Sequence, residues 1–423
     1  MVSMTKMIEQ FYKACRKLLD LMQEGKLIPP EEGSMTNFEN GEKTISYKNG
    51  YYIELTNMIN EFSDYNSDVF PNVLKNYSRE YMEGLINDFL FECFFNDEDK
   101  KTLIDSFFRD LKDDLKETNE YLIPIFIENL LFHSTNVTIG KVKFIPYSIF
   151  NLRTIFEEAG YTGKIIEEPS YSDMSKVKSV GIVSVYAGDI TKAIEKAEDL
   201  VDQSLNVIRL LYLHSSFGIQ GKYNHLLRYK IKSLNITQNT IYSYNGLSGD
   251  VLEYKIDRTQ YKMVNEYISN IDNILKKSEI QKNKLEKKLL LAINLFGEIQ
   301  KNSDHQDNII KIFSAIETLL LDKNEPKIVN IAERISFISE SNKTARLYVH
   351  ELVTRMYKKR NELVHEGETV FKEIDYNTLL IELRQCILII AKNIDDHPNF
   401  EDWINLINGA REARFDKKLS FQL

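Results

Sequence analysis

The pattern of apolar and polar positions divides the chain into a first part with strand and helix patterns and a second part with helix patterns alone. In the first part, short runs of β-branched and aromatic residues predict strands, and apolar residues three or four positions apart predict helices. The strand patterns end near residue 250, and every segment after about residue 260 has helical spacing. The sequence therefore predicts an α+β protein, in which an N-terminal mixed α/β region precedes an all-α domain.

Turn residues and caps separate the predicted elements of the first part. The hairpin signal is Asn49-Gly50, the preferred dipeptide of a two-residue turn, which joins two strand-like runs within residues 44–55. Asp189 is predicted to be the N-cap of a helix that continues to about Tyr212. Helices are also predicted at residues 4–24 and 72–132, and strands at residues 136–146, 179–189, 223–234 and 240–245.

The second part consists of predicted helices separated by short polar breaks. We place the domain boundary near residues 270–285, beside the lysine-rich stretch 276–288, which gives an N-terminal region at 1–275 and a helical domain at 276–423. Trp403 is expected in a short C-terminal helix. The longer helices are predicted at residues 260–301, 305–321, 326–339, 343–366 and 374–395.

Charge, cysteine content and missing motifs narrow the function classes. The net charge of −9 disfavours nucleic-acid binding by the molecule as a whole, although residues 221–300 carry more basic than acidic side chains. Cys15, Cys93 and Cys386 lack the spacing of a disulfide framework or a zinc site, which predicts a cytoplasmic protein without a metal or cofactor. No apolar run approaches the roughly 18 to 20 residues of a membrane span, so we expect no membrane partner. The P-loop, dinucleotide-binding and nucleophile-elbow motifs are missing, which disfavours those enzyme classes.

The most informative segment is the helix predicted within residues 342–368. On a helical wheel of about 100° per residue, Arg360 falls in the middle of the apolar arc, where a guanidinium is costly unless it is paired or faces a functional cleft. A polar row flanks the arc and consists of His350, Thr354, Asn361 and His365. The arc itself is predicted to be buried and consists of Val349, Leu352, Val353, Met356, Tyr357, Leu363 and Val364.

Arg360, Asn361 and His365 together have the chemistry of a phosphodiester-cleaving site. Asn361 and His365 are four residues apart and share one helix face beside Arg360. The arginine offers a planar fork of donors for a phosphate, and a histidine can transfer a proton near neutral pH. His365 lies in the last turn before the terminator Gly367, where the helix dipole favours a positive charge. Such a set needs no metal and suits cleavage of RNA, whose 2′-hydroxyl supplies the nucleophile.

Neighbouring residues extend this site or offer a structural alternative to it. Arg355, Lys358 and Lys359 supply positive charge for substrate binding. In the structural alternative, Arg360 forms a buried ion pair with Glu317 and the histidine only caps the helix end. Other histidines are interpreted as structural because none has a partner at metal-binding spacing: His133, His214, His225, His305 and His397.

The segment YKKRNELVHEG, which contains Arg360, Asn361 and His365, resembles the HEPN domain of the Apea-like group. The resemblance extends over roughly residues 285–395 and includes FSAIETLLL and AERISFI before this segment and DYNTLLIELRQCILIIA after it. It implies a helical bundle that pairs with a second copy into a homodimer, and a metal-independent endoribonuclease activity. Arg360, Asn361 and His365 match the catalytic positions of the family, and Glu317 matches, less securely, a residue that orients the arginine.

The resemblance also implies a biological setting. Proteins of this kind often act as toxins or effectors of bacterial anti-phage defence through abortive infection, with RNA such as tRNA as the target. The N-terminal region would then be the sensor or regulator of a phage-derived trigger. Some family members have lost the active residues and serve as binding modules, so the alternative is a non-catalytic dimerisation or sensor protein. This chain retains the full R-N-x-x-x-H set, which favours catalysis.

Overall fold

The protein is described from a computed structural model, which covers residues 27–28, 37–40, 43–47, 77–78, 81, 106, 118–132, 137–158, 177–211, 217–219, 229–235, 240–246, 254–256, 268–301, 304–322, 325–367 and 370–412. The predicted helix at residues 4–24 and the second strand of the hairpin around Asn49-Gly50 lie outside the described residues. The chain forms two compact units. One consists of Met1–Ile123, Ser184–Lys196 and Leu234–Tyr242, and the other of Pro124–Val183, Ala197–Ser233 and Ser243–Leu423. The predicted boundary near residue 275 stays a prediction.

A small antiparallel sheet lies in the first of these units. It consists of β1 (Leu27–Ile28), β2 (Asn37–Asn40) and β3 (Lys43–Tyr47), with β3 in the centre. Thr44 of β3 pairs with Glu39, and Ser46 pairs with both Asn37 and Ile28. The first strand of the predicted hairpin is therefore present, and in the described residues it pairs with strands that precede it in the chain.

A larger sheet contains most of the strands that the sequence predicts. The strand order across this sheet is β11-β10-β4-β8-β7-β6, and the short strand β9 also pairs with β4. The pairings of β4 with β9 and β10, and of β7 with β6 and β8, are antiparallel. The strands are β4 (Asn119–Glu128), β6 (Val137–Ile139), β7 (Val142–Pro146), β8 (Val177–Ala187), β9 (Gly218–Ile219), β10 (Tyr229–Asn235) and β11 (Thr240–Gly246). A separate parallel pair joins β5 (Leu130–Phe132) to β12 (Tyr254–Ile256).

The prediction of helix over the whole of residues 72–132 is wrong at its C-terminal end, where β4 and β5 are strands. The run from Tyr121 to Ile127 is almost continuously apolar, and such a run has no period that distinguishes a strand from a buried helix. Two residues decide the outcome. Pro124 would remove a hydrogen bond from a helix interior, and Asn129, with a φ of 64°, has a left-handed backbone that separates β4 from β5.

Two helices of the sheet-containing part have described bounds, α1 (Ile149–Glu158) and α2 (Ile190–Arg209). The predicted cap of α2 is confirmed, because Asp189 Oδ1 accepts a hydrogen bond from the backbone N–H of Lys192 at 3.0 Å. The helix ends at Arg209, whereas Tyr212 was the predicted end.

From residue 268 onward the described helices and connections contain no strand, as the sequence predicts. The helices of this C-terminal part are α3 (Lys284–Lys301), α4 (His305–Leu320), α5 (Lys327–Ser339), α6 (Lys343–Glu366), α7 (Glu373–Asn393) and α8 (Phe400–Glu412). Helix α4 packs on α3, and α5 packs on α6, α7 and α8. Trp403 is 1% exposed within α8. The described chain is thus a mixed α and β protein whose strands precede a helical region, and none of its described helices is long and apolar enough to cross a membrane.

The predicted continuous helix over residues 260–301 is interrupted. Helical residues 268–276 are followed by turns, and α3 begins only at Lys284. A reciprocal pair of hydrogen bonds starts α3, because Asn283 Oδ1 accepts from the Glu286 N–H at 2.9 Å and Glu286 Oε2 accepts from the Asn283 N–H at 2.9 Å. This capping box was present in the sequence and was overlooked inside the lysine-rich stretch.

Candidate functional site

The three predicted catalytic residues lie in the last two turns of α6. Arg360 and Asn361 are half-buried, and His365 is exposed. The helix ends at Gly367, whose φ of 84° is left-handed and whose N–H donates to the Leu363 carbonyl at 2.9 Å. The predicted terminator is therefore confirmed, and it fixes the position of the turn that carries His365.

The buried face of α6 agrees with the predicted arc at all but one position. Val349, Leu352, Val353, Met356, Tyr357 and Leu363 are buried. Val364 is the exception, because its side chain is 50% exposed. The buried face of α6 is therefore narrower at the C-terminal end of the helix, beside Asn361 and His365, and the apolar side chain of Val364 is in contact with solvent there.

Arg360 contacts Asn361 and Tyr357 and has no carboxylate partner among the residues that the structure describes. Its Nη1 donates to Asn361 Oδ1 at 3.1 Å, and its Cζ lies 5.7 Å from the centre of the Tyr357 ring. Its Nε is buried and has no hydrogen-bond partner among the described residues. The guanidinium charge is thus not neutralised by a described residue, and a buried donor remains available.

Glu317 contacts the site through Tyr357. Its Oε1 accepts from the Tyr357 hydroxyl at 2.9 Å, and its Oε2 lies 2.8 Å from Lys327 Nζ. Among the described contacts there is no ion pair between Glu317 and Arg360, which was the structural alternative. Glu317 instead holds the ring over which Arg360 lies. The role of Glu317 in orienting Arg360 stays a prediction, and such an effect would act through the Tyr357 side chain.

Tyr357 is the site residue that the sequence analysis missed. Burial, the hydrogen bond to Glu317 and the negative charge of that carboxylate raise the pKa of Tyr357 to about 12, whereas the positive charge of Arg360 opposes this shift. Tyr357 therefore stays a hydrogen-bond donor, and Phe313 packs edge-on against its ring at 5.0 Å. The signal in the sequence was the spacing of three residues to Arg360, which places both side chains on neighbouring turns.

The predicted substrate-binding cations differ in their surroundings. Arg355 Nη2 forms an ion pair with Asp375 at 3.0 Å, and Lys359 Nζ donates to the backbone carbonyl of Val370. Lys358 is exposed and forms no hydrogen bond or ion pair with the part of the chain that the structure describes. Of these cations, Lys358 and Lys359 therefore keep a positive charge that no carboxylate of the described residues neutralises.

His365 likewise is exposed and forms no hydrogen bond or ion pair with the described part of the chain. The described residues also contain no group of His, Cys, Asp and Glu side chains that could hold a metal ion. The arrangement offers a fixed guanidinium, an amide that orients it and an exposed imidazole. Such groups can bind a phosphate and transfer a proton.

Comparisons with protein-family models, curated proteins and solved structures find no match to this chain. The resemblance to the HEPN family therefore rests on the motif and its flanking segments, and the family assignment stays a prediction.

Proposed function

We propose that this protein is a metal-independent endoribonuclease that cleaves RNA through attack of a 2′-hydroxyl on the adjacent phosphate. The observation that carries the proposal is Arg360, whose half-buried guanidinium has no carboxylate partner among the described residues and lies beside Asn361, on the same helix end as the exposed His365. A structural arginine in this position would be expected to have its charge paired.

Each residue has a defined role in the proposed reaction. Arg360 binds a non-bridging oxygen of the scissile phosphate and stabilises the negative charge that develops there. Asn361 holds the guanidinium through its Oδ1, and His365 transfers a proton to or from the reacting oxygens. The 2′-oxygen forms a bond to phosphorus as the bond to the 5′-oxygen breaks, which leaves a 2′,3′-cyclic phosphate and a 5′-hydroxyl. Lys358, Lys359 and Arg355 contact neighbouring phosphates.

The proposed active form is a homodimer through the helical domain. A second copy would bring a second histidine to the cleft, so that one imidazole can accept the 2′-proton while the other donates to the leaving 5′-oxygen. The half-exposed Val364 supports such an interface, because it extends the apolar face of α6 to solvent beside the catalytic residues. The proposed setting is an effector of bacterial anti-phage defence, with the N-terminal region as the sensor of the trigger.

The first experiment is cleavage of total cellular RNA and purified tRNA in the presence of EDTA, with the products tested for 2′,3′-cyclic ends. The wild-type chain is compared with His365→Ala and with His350→Ala, which removes the other imidazole of α6 as a matched control. We expect cleavage by the wild type and by His350→Ala, and at least a hundredfold loss in His365→Ala, about the size of a general acid–base contribution.

Two results would contradict the proposal. Equal cleavage by all three chains would place the activity elsewhere or in a contaminant. If none of them cleaves RNA, and if expression of the wild type harms cells no more than expression of His365→Ala, the protein is not this nuclease.

The second candidate function is a non-catalytic dimerisation or sensor protein. Three exposed apolar side chains on α6, on α7 and in the segment between them favour it, because an interface would remove them from water: Val364, Val370 and Ile374, which are 50%, 85% and 68% exposed. This alternative predicts that the wild type and His365→Ala have the same oligomeric state and that neither cleaves RNA.

A further inference from the structure

Three aromatic rings lie almost parallel where α4 and α7 begin. His305 is the first residue of α4, Tyr376 lies in the first turn of α7, and Phe371 precedes that helix. The His305 and Tyr376 rings are stacked, with centroids 4.5 Å apart and planes 12° apart. The Phe371 ring lies 6.5 Å from His305 and 6.3 Å from Tyr376, with interplanar angles of 28° and 21°. We call these three rings the aromatic platform.

The platform combines a buried ring, that of Tyr376, with an exposed residue, His305. Tyr376 is 3% exposed, its pKa is raised mainly by burial, and its hydroxyl accepts a hydrogen bond from Asn308 Nδ2 at 3.2 Å. The same Asn308 amide also donates to the Ile299 carbonyl at 3.3 Å, so it is itself held. His305 is exposed above this ring, although the sequence analysis interpreted it as a structural residue. An exposed ring on a buried one is a rigid stacking surface.

Two contacts connect the platform to the helix that carries the candidate catalytic residues. Lys359 Nζ binds the carbonyl of Val370, which precedes Phe371, and Arg355 pairs with Asp375, which precedes Tyr376. Both cations belong to α6, and Lys359 directly precedes Arg360 in the chain. The platform is therefore anchored to the last turns of α6.

We propose that the aromatic platform binds an unpaired nucleobase of the RNA substrate by stacking on His305. This inference rests on the proposed nuclease function and adds to it the class of substrate. A flat ring is the best ligand for an exposed ring in a nearly parallel set, because offset-parallel stacking maximises the contact area. A nucleobase also brings a phosphate, which the cations of α6 can contact.

The charge around the platform indicates that stacking, rather than ion pairing, contributes the binding energy. Arg355 neutralises Asp375, and Lys311 pairs with Asp307 at 2.8 Å. The exposed Lys372 and Glu373 carry opposite charges, and Asp304, which precedes His305, caps α4, so no excess of positive charge surrounds the rings. Bases inside a duplex have both faces covered, whereas the bases of loops and single strands are open for stacking. The substrate is therefore an RNA with single-stranded nucleotides near the cleavage site, and the preference for the type of base is weak.

The experiment measures RNA binding by the full chain with His365→Ala, which removes cleavage, and uses fluorescence anisotropy. The probes are a short single-stranded oligoadenylate and the same strand with abasic sugars. Into this background we introduce His305→Ala and His305→Phe. His397→Ala serves as the matched control, because that imidazole also lies beside an aromatic ring, 6.4 Å from the centre of the Trp403 ring, but in the connection between α7 and α8.

We expect His305→Ala to weaken oligoadenylate binding by about fivefold or more and to leave binding of the abasic strand unchanged. His305→Phe should retain most of the affinity, because it keeps a ring. The slope of the logarithm of the binding constant against the logarithm of the salt concentration should stay the same in His305→Ala, whereas Lys358→Ala should make it shallower.

The outcomes separate this inference from the proposed function. If no chain binds either probe and the wild type does not cleave RNA, the base-stacking platform and the proposed nuclease function are both wrong. If the wild type cleaves RNA but His305→Ala binds the oligoadenylate normally, only the platform is wrong. If His305→Ala changes the oligomeric state in sedimentation and not the RNA affinity, the platform is an interface between copies of the chain, which also overturns the inference.

Discussion

At the scale of the residue, the structure places one tyrosine at the centre of the candidate site. Tyr357 was assigned to the apolar arc of α6 from its position alone, and it is indeed buried. Its hydroxyl, however, binds Glu317, and its ring lies beneath Arg360. The helical period predicts which face is buried. It cannot predict that a buried phenol meets a carboxylate on α4, because that contact depends on how two helices pack.

Replacing Tyr357 by phenylalanine should remove the hydrogen bond and keep the ring. We expect Tyr357→Phe to lower the free energy of unfolding by about 1 kcal/mol, because the half-buried Glu317 loses a donor. RNA cleavage should fall less than in Arg360→Ala, which removes the proposed phosphate ligand. Urea unfolding and cleavage rates check this, with Tyr348→Phe as the control, since that side chain is 50% exposed on the same helix. Equal losses of stability in Tyr357→Phe and Tyr348→Phe would contradict the role of the Tyr357 hydroxyl.

Glu382 should make stability dependent on pH. Burial is the largest cause that raises its pKa from 4.5 to about 7; the nearby Glu340 raises it further, and a hydrogen bond from Ser339 opposes the shift. Between pH 4.5 and about pH 7 the carboxyl of Glu382 is protonated in the folded chain and ionised in the unfolded chain. The free energy of unfolding therefore falls as pH rises through this range, and the loss is complete above about pH 7. The expected contribution is about 3 kcal/mol.

The measurement is urea unfolding at a series of pH values. In Glu382→Gln the part of the decline that belongs to this carboxyl should disappear, so that the variant gains stability relative to the wild type as pH rises. Glu373→Gln is the matched control, because Glu373 is exposed on the same helix. A pH profile of Glu382→Gln that parallels the wild type would show that this carboxyl does not titrate as expected.

At the scale of the element, caps and chain breakers determined which predictions succeeded. Asp189 and Gly367 were identified as helix ends from residue type, and both have the expected hydrogen bonds. Asn283 and Glu286 form a cap that was overlooked, because the charges around it continue the helical pattern without a gap. The strand β4 was mistaken for helix, because a fully buried strand and a buried helix have the same apolar composition.

The left-handed end of α6 can be tested with two glycines. A Cβ on Gly367 would meet no atom within 4 Å, so Gly367→Ala should be destabilising only through its φ of 84°, by about 1 kcal/mol. Gly409 lies within α8, is equally open and has no positive φ, so Gly409→Ala should stabilise the protein by up to about 1 kcal/mol. Thermal or urea unfolding should therefore show a lower stability for Gly367→Ala and a higher stability for Gly409→Ala than for the wild type.

Gly367→Ala should also reduce RNA cleavage, because the last turn of α6 carries His365. Gly409→Ala should leave cleavage unchanged. If Gly367→Ala destabilises the protein but cleaves RNA at the rate of the wild type at a temperature where both are folded, the position of His365 does not depend on this helix end.

At the scale of the whole molecule, the second compact unit joins helix α2 to the C-terminal helices. Arg384 of α7 donates to the backbone carbonyls of Leu210 and Leu211, and Lys301 of α3 pairs with Asp202 of α2 at 2.5 Å. Asn206 donates to Asn294 Oδ1 at 3.2 Å. These contacts between distant parts of the chain cross the predicted boundary near residue 275, and no local pattern could have predicted them. They offer a route by which the sheet-containing part can influence the helices.

The proposed homodimer gives the prediction that belongs to this scale. Val364 is the one apolar residue of the α6 arc that is half-exposed, and it directly precedes His365. A charge placed there would be buried without a partner in the proposed interface, whereas in a monomer it would remain in water. Val364→Glu should therefore weaken dimerisation and RNA cleavage together, with little effect on the unfolding of the monomer.

Leu347→Glu is the matched control, because Leu347 is 44% exposed on the same helix but near its N-terminal end. Sedimentation velocity and cleavage assays are made over a range of protein concentrations. We expect the cleavage rate of Val364→Glu to recover as concentration rises, since mass action restores the dimer. A variant that is monomeric and fully active at every concentration would show that one copy carries a complete site, and the role given to the second histidine would be wrong.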